Sequence, residues 1–415
     1  MRKIPCLWAL FLGIASLTSC QQDQLRPDEV FLKLYGDGIS QRAAAVKALP
    51  DGGFLLMGSI ERNVPTQSSD PAWGVYVVRT DREGNALWRH VERNNNFNLF
   101  GVDMEKDPGT NEFAIIAHAI DPFTREEAVF FFRINDGGSV QERGLPDLFV
   151  QEDQKEIPAV IRAVEGPGPL SYVVCGTTSR VSTLSGSVGD GDPSDVLMMG
   201  LDRDGGLLWR NVYGRSGEDH GADVTSLPDG GLLFLADSKE GGGNSSQLLL
   251  IETNENGIIR DGRLLEATGD ERASSLLARP DGIGFAVAGI RDGDNPFLYS
   301  LGANLQRTNL EDARNWAPGA DFIRLEPLAD GFITLTGSLP GQETDRVSWL
   351  LLITDLDGRK RGLNIVVADG LDPHSPAGVV TANSGFAICG TFKFDRTDMV
   401  CLLLTDASGK LQGAK

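Results

Sequence analysis

The chain has 415 residues, with 38 Lys plus Arg against 58 Asp plus Glu, and a formal charge of -20. That sign argues against a nucleic-acid partner, whose phosphates would be repelled. Apolar residues at 41% and charged residues at 23% exclude wholesale disorder and a multi-span membrane chain, while 50 Gly and 20 Pro point to many tight turns and so to an all-β fold.

Taken in chain order, residues 1–19 come first. Arg2 and Lys3 precede an apolar stretch from Ile4 to Ala15, interrupted by Pro5, Cys6 and Gly13. A charged start and a short apolar run make a secretory signal, too short to span a bilayer, which takes roughly 20 apolar residues. Leu17-Thr18-Ser19-Cys20 is similar to a bacterial lipobox. The resemblance implies cleavage before Cys20 and its acylation, palmitate included, so that several chains hold the protein at a membrane surface. The expected division is a lipoprotein signal peptide at 1–19, a lipidated tether at 20–29 and one domain at 30–415. Gln21, where an Asp would signal inner-membrane retention, favours the outer membrane of a bacterial envelope, with the periplasmic or surface face left open.

The domain is a repeat. An apolar strand ending in a small residue recurs as FLLMGS, FAIIAHA, YVVCGTT, LLFLADS, FAVAGIR, FITLTGS and FAICGTF. The small residues are Gly58, Ala117, Gly176, Ala236, Gly289, Gly337 and Gly390, at intervals of 48 to 60 residues. A second strand follows each and closes in a polar turn, as in RTDREG, LDRDG, TNENG, TDLDG and TDASG. Asp or Asn caps such a turn, and Gly supplies its positive φ. Near-continuous apolar runs such as LLLI predict strands covered on both faces. Units of about 50 residues predict four short antiparallel strands apiece. The expected fold is a seven-bladed β-propeller, with the strand near VFLKLYG (30–36) completing the last blade.

ALWRHVE after TDREG, and LLWRNVYG after LDRDG, carry a resemblance to the lipid-anchored β-propeller repeats common in the Bacteroidota, with their DGG-aromatic strand and DxxGxxxW hairpin. The resemblance covers nearly all of residues 30–413 and implies a fold rather than an activity. Quinone-dependent dehydrogenases have related propellers, but the chain has no adjacent Cys pair, and no cofactor is carried over.

Variable connections gather at one end of the predicted units, and there the binding face is expected. Its candidate residues are Trp73, Glu152, Asp153, Glu156 and Trp349. Both Trp rings either pack between units or stack on sugars. Asp190, Asp192 and Asp195 alternate as Ca²⁺ ligands do, but lack the rest of such a loop, and a solvated acidic turn is the plainer reading. Cys175, Cys389 and Cys401 read as buried thiols, with a Cys389–Cys401 bridge as the other possibility. The four His follow no nucleophile motif such as G-x-S-x-G. The expected role is therefore non-enzymatic: an outer-membrane lipoprotein that binds envelope proteins or serves as accessory subunit of a membrane complex. A surface glycan-binding lipoprotein, and a propeller hydrolase or lyase with paired carboxylates in its channel, are the alternatives.

Overall fold

The computed structural model describes residues 32–36, 38–62, 71–140, 147–149, 154–180, 194–215, 217–239, 245–266, 269–293, 295–312, 320–338, 348–366, 372–382, 385–394 and 396–410. Among them there is no helix. β1 (Leu32–Tyr35) is followed by β2 (Gln41–Ala48), β3 (Phe54–Glu61), β4 (Trp73–Thr80) and β5 (Ala86–Glu92), and these last four form one sheet in chain order. Next come β6 (Asn98–Lys106), β7 (Glu112–Ile120), β8 (Glu127–Asn135) and β9 (Asp147–Phe149), then β10 (Gln154–Ala163), β11 (Tyr172–Arg180), β12 (Ser194–Leu201) and β13 (Leu207–Tyr213). A single parallel pairing, Lys155 with Glu127, joins these two groups into an eight-stranded sheet.

Three further four-stranded sheets follow in chain order. They are β14 (Glu218–Ser226), β15 (Leu232–Lys239), β16 (Gln247–Thr253) and β17 (Ile259–Leu264); β18 (Glu271–Ala278), β19 (Phe285–Arg291), β20 (Asn295–Leu301) and β21 (Arg307–Asp312); and β22 (Ala320–Leu328), β23 (Gly331–Ser338), β24 (Ser348–Asp355) and β25 (Lys360–Val366). The last sheet holds β26 (Asp372–Ala382), β27 (Gly385–Phe394) and β28 (Thr397–Leu404), with β1 as its fourth strand. Leu32 stands opposite Leu403 and Tyr35 opposite Val400. The start of the described chain thus completes the sheet made by its end, as its outer strand.

The third strand of each hairpin pair shows why these runs are strands. In β4, WGVYVVRT is buried from its second residue to its last, because both faces of the sheet meet neighbours. In β5, by contrast, exposed and half-buried residues alternate, as on a rim. The turns between such strands close as the sequence predicts. Asp81 Oδ1 accepts the Asn85 N–H at 2.7 Å, and Asp202, Asn254, Asp355 and Asp406 do the same for the residue four on.

Apolar clusters fill the spaces between successive sheets. Leu55, Met57 and Val77 pack on Phe113, Ile115 and Phe130; Val173 and Met198 on Phe234 and Ile251; Leu235 and Leu250 on Phe285 and Tyr299. One cluster joins the ends of the chain, with Leu56 and Val78 against Cys389 and Leu402. The Ala43 N–H donates to Thr391 Oγ1 at 3.0 Å across the same boundary.

β2, β6, β10, β14, β18, β22 and β26 each carry a bulge. The recurrent small residue lies where the bulged backbone comes close. A Cβ on Gly58 would sit 1.9 Å from the Arg42 carbonyl oxygen, backbone that cannot yield.

Candidate functional site

The bulges turn polar side chains inward. Asp103 of β6 is buried and accepts from both terminal nitrogens of Arg324 on β22, at 2.9 and 2.7 Å, across 221 residues of chain. Such a contact requires the first strands of distant sheets to converge on one axis. Arg162 of β10 bridges Asp103 (3.1 Å) and Asp223 of β14 (2.8 Å). Asp223 Oδ2 in turn accepts from Ser275 Oγ of β18 at 3.1 Å, and the Leu325 N–H donates to Ser275 Oγ at 3.2 Å. One layer away, Lys47 pairs with Glu105 at 3.0 Å. Burial raises the pKa of neighbouring Glu326 although Lys47, Arg324 and Arg162 pull it down.

Burial alone would raise the Asp103 pKa as well, but Arg324, Arg162 and Lys47 outweigh it and hold the carboxyl at about 2. A carboxylate so engaged is a poor proton donor at neutral pH. Asp103 and Asp223 share Arg162, so both carboxylates are engaged in ion pairs across sheets. The axial constellation ties sheets together.

Of the residues expected on the binding face, Glu152 and Asp153 lie outside the described residues, as do Asp190, Asp192 and the lipidation site Cys20. Asp195 stands half-buried on β12. Glu156 requires correction: it belongs to strand β10 rather than to a loop, and is buried against Arg210 at 2.6 Å. Its burial raises its pKa, and Arg210 offsets this. Trp349 is fully buried, its ring 4.8 Å from that of Phe392 between two sheets, so it offers no surface to a sugar. Trp73 is half-buried, with Phe100 at 5.5 Å and the Arg42 guanidinium over its ring at 5.2 Å. Cys175, Cys389 and Cys401 are free and buried, which raises their thiol pKa values. Cys401 stands opposite Gly390 rather than Cys389, and the alternative bridge is absent.

A cavity of about 230 Å³ opens where the 49–51 turn meets β6 and β7, lined by Leu49, Asp51, Lys106, Asn111, Phe113 and Asp136. Its two carboxylates both hold buried Arg79, which Asp136 meets at 2.7 Å.

A further polar cluster had no signal in the sequence. His220 of β14 and Asp237 of β15 are directly opposed across the strand pair, with Nδ1 3.5 Å from Asp237 Oδ2. Ser194, which opens β12, places its Oγ 3.2 Å from His220 Nε2. Only the register of β14 on β15 brings the first two together, and only the packing of their sheet on β12 adds the third.

No protein-family model matches the chain, and no curated protein matches it. Its fold is similar to that of an acylaminoacyl peptidase from Pyrococcus horikoshii, at 9% identity and a TM-score of 0.51, over 90% of this chain and 52% of the other. The chain thus spans about half the length of that protein. A candidate 6-phosphogluconolactonase from Bacteroides fragilis is similar at 13% identity and a TM-score of 0.50, over 88% of this chain and 94% of the other. The β-propeller domain of the Trilobed protease from Pyrococcus furiosus matches at 8% identity and a TM-score of 0.48, over 90% of this chain and 98% of the other. At such identities the likeness is one of fold alone: an all-β, propeller-like stack of antiparallel sheets.

Proposed function

We propose that the chain is a seven-bladed propeller, held at the outer membrane by an acylated Cys20, that binds envelope proteins as a scaffold or accessory subunit of a membrane complex. Closure of the ring is supported by the pairing of β1 with β28 and by apolar packing between the first and last sheets. The observation that carries the binding role is the placement of exposed aliphatic side chains on rim strands and the turns beside them. Leu87 of β5 is 59% exposed, Leu208 of β13 41% and Ile258 before β17 63%. Exposed apolar side chains recurring at the outer strands of separate sheets offer contact area to a protein partner. The axial polar groups, by comparison, are spent on one another.

The glycan-binding alternative loses support, because Trp349 is buried and Trp73 is partly covered. The test is crosslinking in intact cells followed by purification through a C-terminal tag, with incorporation of a palmitate analogue read from the same cells. Label lost in Cys20→Ala together with a stoichiometric envelope partner supports the proposal. An unlabelled chain recovered alone contradicts it.

A further inference from the structure

We propose that Ser194, His220 and Asp237 form a nucleophilic relay able to take an acyl group from unhindered carboxylic esters. The three stand in the order such chemistry needs, a hydroxyl on one imidazole nitrogen and a carboxylate on the other. Ser194 Oγ lies 3.2 Å from Nε2, and Asp237 Oδ2 lies 3.5 Å from Nδ1. The carboxylate favours the tautomer with its proton on Nδ1, which leaves Nε2 free to accept from the serine.

The setting is suited to a reaction. All three residues are on strands: β-pairing sets His220 opposite Asp237, and the packing of that sheet on β12 brings Ser194, itself paired with Ser179, to the imidazole. Ser194 is 9% exposed as a residue, and the side chains of His220 and Asp237 are 48% and 17% exposed. A hydroxyl so covered admits a slim acyl group, and the half-open imidazole leaves the alcohol portion room toward solvent. Glu218 and Asp219 on β14 also act electrostatically on the ring, and Lys239 lies 3.7 Å from Glu218. The hydrogen bond with Asp237 raises the His220 pKa above 6.5, burial opposes it, and Glu218 and Asp219 add to the rise.

In the step proposed, Ser194 Oγ forms a bond to the ester carbonyl carbon while its proton passes to His220 Nε2. The tetrahedral adduct then breaks its bond to the alcohol oxygen, which takes that proton and leaves as the alcohol. Water, losing a proton to the same nitrogen, adds to the acyl-serine; this adduct breaks its bond to Ser194 Oγ, which takes that proton back, and the carboxylic acid leaves. Ser194 and His220 are the catalytic residues; Asp237 is a positioning residue.

The test uses the full-length chain with a fluorophosphonate and with para-nitrophenyl acetate. The expected result is a fluorophosphonate adduct on the Ser194 peptide, read by mass on the unaltered chain and so independent of any variant's folding. His220→Gln is expected to lower labelling and ester turnover about a hundredfold, within the 10²–10⁴ range of general-base assistance, with its thermal midpoint checked alongside. Ester turnover should rise with pH through an inflection above 6.5, the ordinary value for His220. Asp237→Asn removes the leading cause of the raised pKa and should move that inflection down, with a loss of rate of up to about 10⁴-fold from the wrong imidazole tautomer. A purely structural tie between sheets would not move a pH profile. No adduct at Ser194, or equal labelling in a folded His220→Gln chain, overturns the proposal.

Discussion

The Tyr35 hydroxyl donates to the Gly84 carbonyl at 2.7 Å, so the strand that completes the last sheet is fastened to a turn of the first. Trp88 Nε1 makes the same kind of bond to the Asp136 carbonyl at 2.8 Å, and Asn211 Nδ2 to the Gly257 carbonyl at 2.7 Å. In each case an outer strand of one sheet clasps a polar turn of the next. The chain ends therefore use the joint that holds the middle. Tyr35→Phe removes one such bond from a buried side chain and should cost about 1 kcal/mol in denaturant unfolding. An unchanged midpoint would mean that the joint contributes nothing.

The axial ion pairs should show an asymmetry between single and double substitution. Arg324→Met leaves Asp103 buried with fewer cations and should destabilise by about 3 kcal/mol. Adding Asp103→Leu removes the stranded charge and should recover part of the loss, because both groups are then apolar. Thermal midpoints of the two chains decide the matter, and a double variant at least as unstable as the single one would count against the assignment.

Acid should dissolve the Asp103 contacts and other buried ion pairs. Burial raises the Asp103 pKa but Arg324 and Arg162 dominate, and burial of Asp107 is likewise outweighed by Arg203, leaving both at about 2. Glu127 is held at about 2, chiefly by its hydrogen bond to His118. These folded-state values lie below the ordinary carboxylate ones of 3.8 and 4.5, so the stabilisation is complete above those values. It is lost as pH falls from there through about 2. For Asp103 the amount is roughly 2 kcal/mol. Melting curves at successive pH values below 5 should show a steep fall, diminished in Asp103→Asn.

Glycines at the bulge and in the open turn should differ sharply. Gly58→Ala drives a Cβ into the Arg42 carbonyl and should destabilise by more than about 2 kcal/mol, whereas Gly166→Ala and Gly168→Ala meet nothing within 4 Å and should be near neutral. Similar melting temperatures for all three would refute the close approach at the bulge.

This contrast marks what a sequence carries. The small residue of each repeat and the Asp-x-x-Gly turns are short-range signals, set by backbone conformation and close approach, so strand order was legible from them. Trp88 and Trp209 belong to the repeated DxxGxxxW hairpin, and their rings lie against Gly138 and Gly257 of the next sheet. The axial network was not legible, because a bulge of one residue decides that Asp103, Asp223, Ser275 and Arg324 turn inward. Glu156 was misplaced for a related reason: β10 starts at Gln154, inside a stretch whose polarity reads as a link. Ser194, His220 and Asp237 meet through strand register and sheet packing, which no local pattern encodes.

The most direct measurement is quantitative recovery of crosslinked partner from intact cells expressing either the unaltered chain or Leu208→Asp with Ile258→Asp. Both positions are exposed, so the substituted chain should keep its thermal midpoint within about 0.5 kcal/mol of stability. A stoichiometric envelope protein lost from the substituted chain is the predicted result. The same recovery from both chains, or no partner with either, would contradict a scaffold that binds through its rim.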